Sequence, residues 1–130
     1  MNKNNSNRCR GIVVALKANF LIVELNYEDS KEYNNDKLSQ KLRLLCTRRS
    51  KLVYQGFLID VGDVVWVESI DYKNKRAVIS NLEQRTSFLK RPAVSNVTLI
   101  AICISVEEPL FDLGQVSRFL ITAEAANIKP

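Results

Sequence analysis

Hydrophobic and polar positions alternate in short runs through the first two thirds of the chain, then give way to an almost unbroken apolar segment. Gly11–Lys17 is short, β-branched and half alternating, and predicts a strand. Lys17-Ala18-Asn19 supplies a turn, with Asn19 suited to positive φ. Phe20–Leu25 returns as a second strand, with Phe20, Ile22 and Glu24 on one face and Leu21, Val23 and Leu25 on the other. Residues 26–40 are polar and carry Asn34-Asn35-Asp36, a loop signal. Leu42–Thr47 resumes alternation, placing Leu42, Leu44 and Cys46 inward and Arg43, Leu45 and Thr47 opposite. Gly56 and Gly62 bracket a turn-rich passage. Val64–Ile70 and Ala77–Ile79 form a hairpin around the polar loop Asp71–Arg76.

Five short strands without a sustained helical period predict a small closed or half-closed barrel, because an open sheet of five would leave two unprotected edges. A five-stranded oligonucleotide-binding (OB) barrel over residues 10–84 is the first candidate, after a polar tail at 1–9. A Src-homology-3-like barrel is the competitor. Beyond a linker at 85–97, Thr98–Val106 has the near-continuous apolar character of a strand covered on both faces in an α/β sheet. Asp112 can cap a following helix whose Val116, Phe119, Leu120 and Ala123 recur at helical spacing. The fold class expected is therefore mainly β: an OB barrel, then the first strand and helix of an α/β domain over 98–130.

Charge sharpens the picture. Residues 1–91 hold 17 Lys/Arg against 10 Asp/Glu, whereas residues 92–130 hold 2 against 4. The densest basic block, Lys37, Lys41, Arg43, Arg48, Arg49 and Lys51, contains no acid. A field of one sign on one domain favours a polyanionic partner, and that tips the choice toward the OB barrel, whose binding surface is strands 2 and 3 with the 1–2 and 4–5 loops. The candidate RNA-binding residues are Lys41, Arg43, Arg48, Arg49, Lys51, Lys73, Lys75 and Arg76, with Lys17 on the first loop and Tyr72 as the preferred stacking residue. Tyr54 is a further aromatic. The competing reading of the block is a solvated face that serves solubility. Trp66, between Val65 and Val67, is expected in or half in the core. Asp60 and Asp63 flank a turn glycine and are expected to form that turn, since no histidine or nucleophile stands beside them.

Other chemistry is thinly represented. There is no histidine, and Cys9, Cys46 and Cys103 lack metal-ligand spacing, so no metal site is expected and the cysteines are expected to be small buried side chains in a reducing compartment. With no apolar leader and no run long enough to span a bilayer, a soluble cytoplasmic monomer is expected.

Several segments, taken in order, carry a resemblance. Asp60-Val-Gly-Asp63 leads into Val64-Val-Trp-Val. Arg85-Thr-Ser-Phe-Leu-Lys-Arg-Pro92 matches an Arg-x-x-x-Leu-x-Arg-Pro pattern, followed by Ser95-Asn-Val97. Glu108-Pro-Leu-Phe111, Arg118-Phe-Leu120 and Ala123-Glu124 come after. Together these resemble the beginning of the small-subunit-dependent ribosome biogenesis GTPases, the RsgA (YjeQ) family. Ser95 stands where that family usually has Ala, Thr98 where it has Asp, and Ser117 where Asp precedes Arg-Phe-Leu.

The resemblance implies an OB barrel docking on rRNA of the small ribosomal subunit, a circularly permuted GTPase domain binding GTP and Mg²⁺, and a C-terminal part holding structural Zn²⁺. Phosphate cradling needs a glycine-rich loop opening a helix, with a lysine and a hydroxyl for Mg²⁺. None of the four glycines, Gly11, Gly56, Gly62 and Gly114, begins such a motif. No cofactor is therefore expected in this chain, nor GTP hydrolysis by it alone. Two rivals stand: a non-enzymatic β-barrel module recognising protein, and an unstable product whose exposed apolar strand invites aggregation.

Overall fold

The computed structural model describes residues 8–25 and 41–129. The expected tail up to residue 7, the loop at 26–40 and Lys37 lie outside the described residues. The chain divides into two compact units, at residues 1–84 and 85–130.

The first unit is a closed barrel of β1 (Cys9–Lys17), β2 (Phe20–Leu25), β3 (Arg43–Arg48), β4 (Val64–Asp71) and β5 (Arg76–Leu82), in the order β1-β2-β3-β5-β4. Neighbours are antiparallel except β3 and β5, which run parallel from Leu45↔Arg76 to Arg48↔Ile79. Alternation along each strand turns one set of side chains inward. Val13, Val23, Leu44, Cys46, Val65, Val67 and Ile79 are fully buried. The inward assignment of Leu42, Leu44 and Cys46 holds, and of the two faces of β2 the one carrying Leu21, Val23 and Leu25 is buried. Trp66 sits half-buried on the outer side of β4, opposite Arg10 and Asn81, and its indole donates to Glu83.

β1 does more than the expected run implied. It begins at Cys9, pairs with β2 from Gly11 to Lys17, and pairs with β4 from Cys9 to Ile12. A register shift between Val13 and Ala15 bends the strand between its two partners. The Asp60–Asp63 turn closes against it: Gly62 N–H donates to the Val13 carbonyl (2.8 Å) and Val13 N–H to the Asp63 carbonyl (2.9 Å). Within that turn Asp63 is buried and its Oδ2 accepts from Asp60 N–H at 2.8 Å. The turn-rich passage before it also contains a short helix, α1 (Ser50–Tyr54), which the sequence pattern does not announce. Leu52 anchors it in the core.

In the second unit the expected linker is instead a small hairpin of β6 (Phe88–Lys90) and β7 (Ala93–Ser95), turned at Arg91-Pro92. Its ends are tied by side chains. Asn96 Oδ1 accepts from Thr86 N–H (2.9 Å), and Ser87 Oγ–H donates to the Val97 carbonyl (2.7 Å). Helix α2 (Leu113–Ala125) forms where expected, capped by Asp112, whose Oδ1 accepts from Gly114 N–H at 2.8 Å.

Thr98–Val106 does not form a laddered strand. A ladder needs a neighbouring backbone, and this segment finds one only at Leu99↔Lys129, a parallel bridge in which Ile100 N–H donates to the Lys129 carbonyl (3.0 Å). Cys103 is accordingly exposed, against expectation, while Cys9 and Cys46 are buried. Of the helix positions expected to face a core, Ala123 is buried and Phe119 and Leu120 are largely exposed.

Two substitutions test this packing. A Cβ on Gly11 would lie 2.5 Å from Val23 Cγ1 and 2.9 Å from the Glu24 carbonyl oxygen. Gly11→Ala is therefore expected to cost about 1–3 kcal/mol, read as a lower denaturation midpoint. Ser95 is buried and its hydroxyl has no hydrogen-bond partner among the described residues. Ser95→Ala removes that desolvated group and is expected to stabilise the hairpin by about 1 kcal/mol, measured as slower amide exchange in β6 and β7.

Candidate nucleic-acid interface

The outer face of β2 and β3 presents Phe20, Ile22 and Glu24 beside Arg43, Leu45 and Thr47, with Ile22 paired to Leu45 and Glu24 to Arg43. The basic block, continuous in sequence, is split in space by β3 itself. Lys41 and Arg43 stand at the start of β3. The Lys73–Arg76 loop joins that end, since parallel pairing sets Arg76 beside Leu45 and Leu45 N–H donates to the Lys75 carbonyl (2.8 Å). Arg48, Arg49 and Lys51 stand at the far end with α1. The six residues of β3 separate the two groups by about 17 Å.

Charge is partly internalised, which charge counting does not reveal. Glu24 holds both Lys41 (Nζ–Oε1 2.9 Å) and Arg43 (Nε–Oε2 3.0 Å). Hydrogen bonding from Lys41 first, and then from Arg43, keeps the Glu24 carboxyl below the usual carboxylate range. Glu68, buried on β4, is shared by Arg49 and by Arg8 (3.5 Å). Each trio keeps a net charge of +1. Arg10 and Glu83 form a bidentate pair (2.7 and 2.8 Å), and Arg10 in turn lowers the Glu83 carboxyl. Arg76 faces Asp71, whose carboxyl is lowered chiefly by hydrogen bonds from Asn74. Among the described residues, Lys17, Arg48, Lys51, Lys73 and Lys75 form no ion pair.

The aromatic expectation shifts. Tyr72, the preferred stacking residue, is half-buried and packs against the barrel core, so much of its ring already has a protein neighbour. Among the described residues of the barrel unit, Phe20, Tyr54 and Phe57 are exposed rings, at 41%, 90% and 46% accessibility. Phe20 borders a cleft of about 190 Å³ between the Lys17–Asn19 turn, Arg48 and Ile59. Alternation assigned Phe20 its face, but the cleft depends on where Arg48 and Ile59 arrive from elsewhere in the chain.

No three His, Cys, Asp or Glu side chains among the described residues are placed to hold a metal ion. Burial pushes the Cys46 thiol up to about 12, so it stays protonated at neutral pH and is a poor nucleophile. No helix among the described residues is long and apolar enough to cross a membrane.

Strand order β1-β2-β3-β5-β4 with a parallel β3–β5 seam defines an OB barrel, here followed by a unit with a small hairpin and one helix. Solved structures share this arrangement. YjeQ from Thermotoga maritima matches with a TM-score of 0.74 and 29% identity, over 93% of this chain and 38% of its own. The circularly permuted GTPase YloQ matches with a TM-score of 0.75 over all of this chain and 41% of its own; at 22% identity it supports the fold alone. A scan against protein-family models matches none.

Whole-sequence comparison is more specific. The small ribosomal subunit biogenesis GTPases RsgA of Prochlorococcus marinus strains NATL1A and NATL2A are 69% and 68% identical over 130 residues, and that of strain MIT 9303 is 45% identical over 124. Over its whole length the chain is similar to the N-terminal portion of these RsgA proteins. It spans 42% of the length of the first two relatives.

Arg49 and Arg48 separate structural from surface charge. Arg49→Ala leaves the buried Glu68 with Arg8 alone and is expected to cost about 1–2 kcal/mol, after allowance for the exposure of both arginines. Arg48→Ala is expected to stay within about 0.5 kcal/mol of the parent. Urea denaturation of both variants checks the contrast.

Proposed function

We propose that this chain is the docking portion of a small-ribosomal-subunit biogenesis GTPase, with its barrel binding rRNA mainly through phosphates. The observation that carries this reading is the distribution of unshared cations. Lys73 and Lys75 lie at one end of the β2–β3 face, and Lys17, Arg48 and Lys51 at the other, while Glu24 and Glu68 are each shared by two cations. Phosphates spaced along a nucleic-acid backbone complement two basic groups about 17 Å apart. The names of the relatives supply the ribosomal partner and the GTPase activity of the whole protein. GTP, Mg²⁺ and Zn²⁺ are assigned to parts of the family outside these 130 residues, and the setting is cytoplasmic.

A protein partner is the second reading. Val53, Tyr54, Phe57 and Leu58 are exposed on α1 and the turn after it, an apolar group that phosphate binding does not use. Nuclease treatment of a small-subunit pull-down separates the two, since RNA-dependent recovery supports the first and RNA-independent recovery the second.

The charge reading has a quantitative test. Arg48→Ala combined with Lys51→Ala is expected to weaken small-subunit binding and to reduce the slope of log affinity against log salt by roughly 1.5. Sedimentation binding across a salt series measures it, and an unchanged slope counts against these residues.

A further inference from the structure

The cleft beside the β1–β2 turn combines features that phosphate docking alone leaves unused. Its floor is core: Leu21 and Ile59 are 5% and 6% exposed, so the depression is backed by packed side chains. Its walls include Leu16 and Phe20, which remain nearly half in water. Its rim carries two cations, Lys17 and Arg48. Arg48 differs from the other described arginines of the barrel. Arg8, Arg10, Arg43 and Arg49 each hold a carboxylate and Arg76 faces Asp71, but Arg48 has no such partner among the described residues. Its guanidinium is left to bind phosphate or to stack.

Size then selects the occupant. A cavity of about 150 Å³ accommodates a benzene ring, so a cleft of about 190 Å³ accepts one nucleobase and excludes a base pair. A base in this position would lie against the Phe20 ring. The sugar and phosphate would stay outside, beside Lys17 and Arg48, and the Asn19 amide in the turn offers both donor and acceptor to a base edge. An apolar protein side chain would fit the floor but would leave both rim cations without a counterpart.

We propose that this cleft is a reader of a single unpaired RNA base, with Phe20 as its stacking platform and Lys17 and Arg48 as its phosphate clamp. The inference rests on the RNA-docking reading and adds to it a preference for interrupted over continuous helix.

The test uses the 130-residue chain and two RNA duplexes of identical sequence, one fully paired and one with a single bulged nucleotide. Fluorescence anisotropy gives both affinities. The bulged duplex is expected to bind about tenfold tighter. Phe20→Ala is expected to abolish that preference while leaving the affinity for the paired duplex intact, and Phe20→Tyr, which keeps the ring, to retain it. Equal affinity of the parent chain for the two duplexes overturns the base site and leaves phosphate docking standing. A preference that survives in a folded Phe20→Ala variant overturns it as well. If neither duplex binds, the docking reading falls, and the base site falls with it. Should Phe20→Ala fail to melt cooperatively, the parent comparison and the Phe20→Tyr variant still decide.

Discussion

The barrel depends on β1 serving two neighbours. Its first half closes the cylinder against β4, its second half runs on with β2, and Gly11 and Ile12 engage both at once. Ile12 fits there with its side chain turned outward, whereas at Gly11 the space is already filled, since a methyl group there would press on Val23 and on the backbone of Glu24. With β1 held, the Asp60–Asp63 turn locks onto Val13 and fixes where Ile59 and β4 lie. The same strand ends in the Lys17–Asn19 turn, so closure at one end of β1 determines the shape of the cleft at the other.

The parallel seam between β3 and β5 has a different consequence. It brings the β4–β5 loop to the beginning of β3, so that Lys73 and Lys75 join the end occupied by Lys41 and Arg43. A hairpin neighbour would have carried them elsewhere. The surface thus acquires two basic poles from a sequence in which the cations look like one block and a separate loop.

Much of this was legible in the residues, because strand faces are a local property. Alternation in Phe20–Leu25 and Leu42–Thr47 specifies inward and outward side chains without knowledge of partners. Asp112 was readable as a cap for the same reason. The Glu24 and Glu68 trios were not readable, because each joins residues from separate segments brought together only by closure. Tyr72 looked like a free ring beside a basic loop, but the hairpin tilts it onto the core. Thr98–Val106 shows the converse limit: apolar composition describes the surroundings a segment suits, whereas a ladder also needs an adjacent backbone, which Lys129 supplies at one point. The family resemblance rested on motif order, and it survived because order is independent of how each segment pairs.

Sharing a carboxylate between two cations also divides the surface kinetically. At a distance, each trio presents one charge, so the approach of a polyanion is steered chiefly by the unshared lysines and Arg48. Lys41, Arg43 and Arg49 are already oriented by the acids that hold them. Beyond the one net charge that each trio shows at a distance, they contribute at contact, when an incoming anion displaces or joins the resident carboxylate. Encounter and residence thus fall in part to different residues, and the exchange partner is already bound at the surface to take the cations back when the anion leaves.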